Sequence, residues 1–157
     1  GMRRSSVPPA ARHVAQWDGP PKHTPSTMVP DGPIMANGDM GVGVGGAVDQ
    51  NTSFYFGKMD FWTSNAKDSG GRYAWTHVAP GYVSLSFSAL GNGKSKINWT
   101  ATQELSEARV NTTMVAPGVG VVTTSSMFAP NTNVMATRII SSVDTTLELR
   151  LSTQLPS

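Results

Sequence analysis

Apolar and polar residues alternate along most of the chain after Gly38, with the period of two that is typical of β-strands. Residues 83–88 alternate Val, Leu and Phe with three serines, which predicts a strand with one buried and one solvated face. A Gly-Asn-Gly turn at 91–93 then suits a hairpin, because these residues accept positive φ. The alternation resumes in further stretches, whose apolar or inward positions are Ile97, Trp99 and Ala101; Val110, Thr112 and Met114; Val119, Val121 and Thr123; and Leu147, Leu149 and Leu151.

These stretches predict an all-β fold, an antiparallel β-sandwich of about nine strands with little or no helix. Only residues 102–109 resemble a helix, and they lack helical apolar spacing beyond one turn. The last predicted strand stops close to Ser157, as in a supersandwich cut within or just after a sheet. We therefore expect an open edge or uncovered face through which the chain self-associates.

The chain divides by composition into two parts. Residues 1–32 hold most of the prolines and show no apolar period, which predicts an extended arm anchored by Trp17. Residues 33–157 form the predicted sandwich domain.

Composition argues against several classes of binding partner and cofactor. The 157 residues suit one domain, only 14% of them are charged, and the net charge of +2 forms no basic patch for nucleic acid. There is no cysteine, the three histidines are scattered, and no apolar run approaches the roughly 18 residues of a membrane span. The sequence thus predicts no metal, cofactor, nucleic-acid or membrane partner. Three Asn-x-Ser/Thr sites, at Asn51, Asn98 and Asn111, favour a secreted or extracytoplasmic protein.

The stretch from residue 33 to residue 62 concentrates polar residues at predicted strand ends. A turn at Asn37-Gly38-Asp39 leads into a Gly-rich strand, and a polar turn leads from there into an aromatic strand over 52–56. The glycines of the first strand match G-x-G-x-x-G, but a dinucleotide site needs that loop to open a helix. A turn followed by a strand argues against such a cofactor, so close approach of a neighbouring backbone or ring is expected there.

Two aspartates in this stretch, Asp39 and Asp60, could face each other at one end of the hairpin. Paired carboxylates share acid and base roles in sugar hydrolysis, whereas single aspartates more often cap turns. Lys58 is interpreted as a surface ion-pair partner or loop anchor.

Trp62 and Trp75 lie in loop-rich segments, where an aromatic face either contacts a sugar or packs in an interface. Trp99, in an alternating strand, is expected in the core.

The segments I-M-A-N-G-D-M-G-V-G-V and F-Y-F-G-K-M-D-F-W resemble the N-terminal β-sandwich of six-hairpin glycosidases, the relatives of glycoside hydrolase families 65 and 95. Asn37 and Gly38, with Gly41, match the Asn-Gly turn of that family. Asp60 and Trp62 correspond to an Asp and a Trp that follow later in its pattern. Met35-Ala36 and Lys58 depart from the family's preferred residues and place the chain in an outlying branch.

The resemblance implies that catalysis belongs to a following (α/α)6 barrel, whose carboxylates act as general acid and base. The sandwich packs against that barrel and edges its active site, so this chain would carry no catalytic residue of its own. Asn37, Asp39, Asp60 and Trp62 would face the barrel or the sugar. A stand-alone carbohydrate-binding or lectin-like module is the alternative, with Trp62 and Trp75 lining one groove.

Overall fold

A computed structural model describes residues 13–23, 31–46, 51–67, 73–77, 80–90, 97–129 and 131–153; for residues 51, 62–67 and 73–77 only the backbone is described. The described chain is all-β, and it contains no α-helix. Its twelve strands are β1 (Val14–Trp17), β2 (Ile34–Ala36), β3 (Met40–Gly46), β4 (Asn51–Lys58), β5 (Trp62–Lys67), β6 (Tyr73–His77), β7 (Gly81–Phe87), β8 (Asn98–Glu104), β9 (Arg109–Ala116), β10 (Gly120–Phe128), β11 (Met135–Ser141) and β12 (Leu147–Thr153).

Ten of these strands form two five-stranded sheets, and all neighbouring strands are antiparallel. Sheet I has the order β1-β8-β9-β10-β11, and sheet II has the order β12-β7-β4-β3-β2. β5 and β6 pair separately as a two-stranded ribbon. The predicted antiparallel sandwich is thereby confirmed, and β5 and β6 stand outside its two layers.

The core lies between the two sheets and is made by the alternation seen in the sequence. β9 buries every second residue from Val110 to Ala116, and β4 buries Phe54 against them. Full burial of side chains of this size contributes about 1.5–3 kcal/mol each. Trp99 is buried as expected, and the other members of the core include Val42, Val44, Leu85, Phe87, Leu90, Val122 and Phe128.

Three threonine side chains in this core are buried together with their hydroxyl groups. Thr112 of β9 lies with its Oγ1 2.7 Å from Oγ1 of Thr124 in β10, and 3.4 Å from Oγ1 of Thr52 in the opposite sheet. Thr52 also donates to the sulfur of Met114, at 3.6 Å. The hydroxyls therefore satisfy one another, which offsets the cost of burying them.

Two details of the predicted pattern are wrong. Ser84 is buried rather than solvated, as is Ser53 opposite it in β4. In β10 the inward positions are Val122 and Thr124, so the predicted set from 119 to 123 faces outward. As expected, residues 102–109 form no α-helix: they contain the end of β8, a short 3-10 turn at Leu105–Glu107 and the start of β9.

Part of the predicted N-terminal arm is a strand. β1 pairs with β8 along the edge of sheet I, with Trp17 opposite Ala101. Trp17 is partly buried against the core, and its Nε1 donates to the backbone oxygen of Asp31 at 2.8 Å. The anchoring role predicted for this tryptophan agrees with these contacts.

Candidate functional site

The site begins at the turn between β2 and β3. Asn37 Oδ1 accepts hydrogen bonds from the backbone N–H groups of Asp39, at 3.0 Å, and Met40, at 2.8 Å. Gly38 between them has a φ of +97°, in a region that disfavours other residues. This side-chain-capped turn explains why Asn-Gly stands here, and it holds Asp39 at the end of the sheet.

The end of β4 brings a lysine and a second aspartate to the same place. Lys58 lies opposite Met40 in the β3–β4 ladder, and the backbone N–H of Met59 donates to the backbone oxygen of Asp39 at 2.9 Å. Lys58 Nζ lies 3.2 Å from Asp39 Oδ1 and also forms an ion pair with Asp60. The lysine thus bridges the two carboxylates, so they do not form a proton-sharing pair.

The loop between β10 and β11 completes the arrangement from the other sheet. Asn133 Nδ2 donates to Asp39 Oδ2 at 2.7 Å, and its Oδ1 accepts from Asn37 Nδ2 at 3.1 Å. The same Asn37 amide donates to the backbone oxygen of Thr132 at 2.6 Å. We call Asn37, Asp39, Lys58, Asp60 and Asn133 the polar node; it ties the end of sheet II to sheet I.

Hydrogen bonds in the polar node stabilise the charged forms of Asp39 and Lys58. The hydrogen bond from Asn133, and then the one from Lys58, hold the pKa of Asp39 below its usual value. Hydrogen bonds to Asp60 and Asp39 raise the pKa of Lys58 above its usual value. A carboxylate with a lowered pKa accepts hydrogen bonds well but is a poor general acid at neutral pH.

Apolar surface surrounds the polar node. Met59 is 64% exposed and Phe61 is 43% exposed, on either side of Asp60. A shallow depression of about 380 Å³ opens beside them, lined by Ala36, Gly38, Asp39, Met40, Gly41, Gly57 and Met59. Exposed methionine and aromatic side chains are enriched where proteins contact other molecules.

The structure brings together three of the five site residues predicted from the sequence, Asn37, Asp39 and Asp60. Trp62 begins β5, two residues beyond Asp60, and lies opposite His77 of β6. Positions 62 and 75 are therefore diagonal to each other across the β5–β6 ribbon. The side chains of both tryptophans lie outside the described part of the chain. Sequence reasoning placed Lys58 as an ion-pair partner, which is confirmed, but it missed Asn133.

Within the described residues, no group of three or more His, Asp or Glu side chains is placed to hold a metal ion. No helix in that part of the chain is long and apolar enough to cross a membrane.

A second depression of about 260 Å³ lies on the outer face of sheet I, lined by Arg109, Thr123, Ser125, Met127, Ala136, Arg138 and Ile140. It contains none of the predicted site residues.

No family model matches the chain, and no curated protein is significantly similar to it. The sandwich fold is established by the arrangement of the strands. The likeness of residues 33–62 to the glycosidase sandwich stays a prediction.

Proposed function

We propose that this chain is a non-catalytic β-sandwich domain of a carbohydrate-active enzyme, a glycoside hydrolase, that packs against a helical catalytic barrel and edges its active site. The observation that carries the proposal is the polar node with its exposed apolar rim, Met59 and Phe61. Met59, Phe61 and every residue of the node except Asn133 lie in the stretch whose sequence resembles the glycosidase sandwich. On this proposal the barrel contacts the end of sheet II at the node.

The contacts within the polar node support a docking role. Its five side chains come from three separate segments, and hydrogen bonds or ion pairs connect every one of them to another. A surface fixed in this way loses little conformational entropy on binding, which favours a lasting contact between domains. Lys58 between the carboxylates supports a structural use of Asp39 and Asp60 rather than acid–base chemistry.

Methionine oxidation by hydroxyl radicals tests the proposed contact. The 157-residue chain is compared with the product of its complete gene, and oxidation of Met59 is measured in each by mass spectrometry. We expect Met59 to be strongly protected in the longer protein, because the barrel would cover it. Met127, exposed on the outer face of sheet I, is the matched control and should oxidise equally in both. A coding sequence that ends near Ser157, or equal oxidation of Met59 in both proteins, would contradict the proposal.

A stand-alone carbohydrate-binding module is the second candidate, and the exposure of Phe61 beside the node favours it. Aromatic faces stack on sugar rings while carboxylates and amides bind the hydroxyls. Calorimetric titration of the chain with glucose, galactose and L-fucose tests this candidate. Binding that is lost in Phe61→Ala but kept in Val119→Ala, an exposed apolar control, would support it; no heat with any of the three sugars would argue against it.

Secretion is part of the same proposal and predicts where glycans attach. Asn98 is exposed, whereas Asn111 is partly buried and donates to Glu104 Oε1 at 2.9 Å. A glycan needs a free side-chain amide, so expression through a eukaryotic secretory pathway should modify Asn98 before Asn111. Peptide mapping after deglycosylation would show the sites, and modification of neither Asn98 nor Asn111 would leave secretion unsupported.

A further inference from the structure

β12 is the outermost strand of sheet II, and its three leucines are spaced symmetrically about Leu149. It pairs with β7 on one side, and no described strand pairs with its other side. Leu147, Leu149 and Leu151 share the core-facing side of the sheet with Phe87 and Leu85, yet they are 43%, 62% and 68% exposed. An unpaired strand edge next to exposed leucines is a surface on which a further strand can pair.

The residues of β12 favour a second copy of the same strand as that partner. In an antiparallel pair centred on Leu149, Leu147 of each copy lies opposite Leu151 of the other. Glu148 of each copy then lies opposite Arg150 of the other, and opposite charges facing each other stabilise a strand pair. Shifting the centre to Glu148 or to Arg150 puts like charges opposite each other. Sliding one strand by a single residue along the other would put the leucines of one copy on the same face as Glu148 and Arg150 of the other copy. The sequence therefore selects one register.

The corresponding edge of sheet I lacks this complementarity. β11 carries one charged residue, Arg138, and a pairing centred there brings two guanidinium groups together. In β12 the two charges already lie on one face, with Arg150 Nη2 3.5 Å from Glu148 Oε1. In a symmetric pair the four charges of two copies would alternate in sign.

We propose that β12 is a homodimerisation edge, at which two copies pair antiparallel about a two-fold axis through Leu149. The pairing joins two copies of sheet II into one ten-stranded sheet and brings six leucines together on its core-facing side. Such an interface is isologous, so it closes at two copies and forms no fibre. It lies at the edge of sheet II opposite β2, and it holds whether or not the polar node binds a barrel or a sugar.

Charge reversal with sedimentation velocity tests the pairing and its register. We expect the wild-type chain to dimerise, and Glu148→Arg and Arg150→Glu each to weaken the dimer by roughly tenfold or more, because each reversal makes two repulsive pairs. The double variant E148R/R150E restores both attractions and should dimerise like the wild type. A mixture of the two single variants should form heterodimers, since one then carries two arginines and the other two glutamates.

Arg138→Glu, a reversal on the edge strand of sheet I, is the matched control and should leave dimerisation unchanged. Circular dichroism of each variant verifies that it is folded. A wild type that stays monomeric at its highest soluble concentration overturns the proposal, and so does a dimer that tolerates the single reversals. The proposal would also be overturned if the 157-residue chain were a dimer but the product of the complete gene were a monomer. That result would mean that a further segment of the natural protein pairs with β12.

Discussion

Two leucines that lie opposite each other in sheet II have very different environments. Leu85 of β7 and Leu149 of β12 are register partners and point to the same face, yet the first is 4% exposed and the second 62%. The row from Val44 through Phe54 and Val83 to Leu151 shows the same change, from buried at the centre to mostly exposed at β12. Alternation in sequence therefore sets the face of a residue, while burial depends on how far the opposite sheet extends.

The opposite end of sheet II is attached to sheet I by polar contacts. There Asn133 from the β10–β11 loop reaches Asp39 and Asn37, so the two sheets are joined at that end by hydrogen bonds. β12 has no such connection in the described residues beyond its ladder with β7. The sandwich is thus closed at the polar node and open at β12.

Truncating the two paired leucines should show the largest difference. Leu85→Ala removes a buried side chain and leaves a cavity, so it should lower the free energy of unfolding by about 2–5 kcal/mol. Leu149→Ala removes a mostly exposed side chain and should change it by less than about 0.5 kcal/mol in dilute protein. Urea denaturation of both variants at low protein concentration measures the two values. Similar losses in both would mean that sheet I, or another part of the chain, covers β12.

The strand alternation, the antiparallel sandwich and the buried position of Trp99 could all be predicted from the sequence, because they depend on local period and side-chain character. The exposure of Leu149 could not, since it depends on the width of the other sheet. The phase of β10 was misjudged because valine and threonine fill both of its faces, so Val121 and Val122 look alike in sequence.

The candidate site also has residues that could be predicted from the sequence and one that could not. Asn37, Asp39 and Asp60 were predictable because a turn signal and two strand ends place them together over a short stretch. Asn133 was not, since it lies 94 residues from Asp39 and reaches it only through the packing of the sheets. No local signal in the loop at 131–133 distinguishes it from an ordinary polar turn.

A methyl group at Gly81 should loosen the open edge without affecting the centre. Gly81 lies opposite Thr153 with a φ of +154°, and an added Cβ would lie 2.3 Å from the backbone oxygen of Ser152. Gly81→Ala should therefore cost about 1–3 kcal/mol through backbone strain and displacement of β12. Hydrogen exchange should speed up in β12 and stay slow in β4.

Gly41→Ala is the control for that substitution. It adds the same methyl in β3, where the nearest atom would be the Met35 oxygen at 3.9 Å, an ordinary contact. Exchange that speeds up equally in β4 and β12 of Gly81→Ala would show that the edge and the centre unfold together.

Removing one hydroxyl from the core should have a smaller effect than removing a buried leucine. Thr112→Val keeps the shape of the side chain but leaves the hydroxyls of Thr52 and Thr124 without their shared partner. We expect a loss of about 1–2 kcal/mol from the unmet hydrogen bonds. Thr113→Val, at the adjacent half-buried position on the other face, should be nearly neutral in the same urea titration. A neutral Thr112→Val would mean that the buried hydroxyls do not contribute to joining the sheets.

Neutralising Asp39 should have the smallest effect, and that effect should depend on pH. Because the pKa of Asp39 is lower in the folded chain, its ionised form stabilises the fold above its ordinary pKa, and the contribution is lost as the pH falls through the lowered value. Asp39→Asn should then lower Tm by about 1–3 °C at neutral pH, as expected for an exposed ion pair, and should match the wild type in acid below that pKa. Thermal melts across this range, with Asp144→Asn as an exposed control of equal charge change, measure the effect. A Tm difference that stays constant with pH would mean that the shape of the turn, and not the charge of Asp39, holds the closed end of the sandwich together.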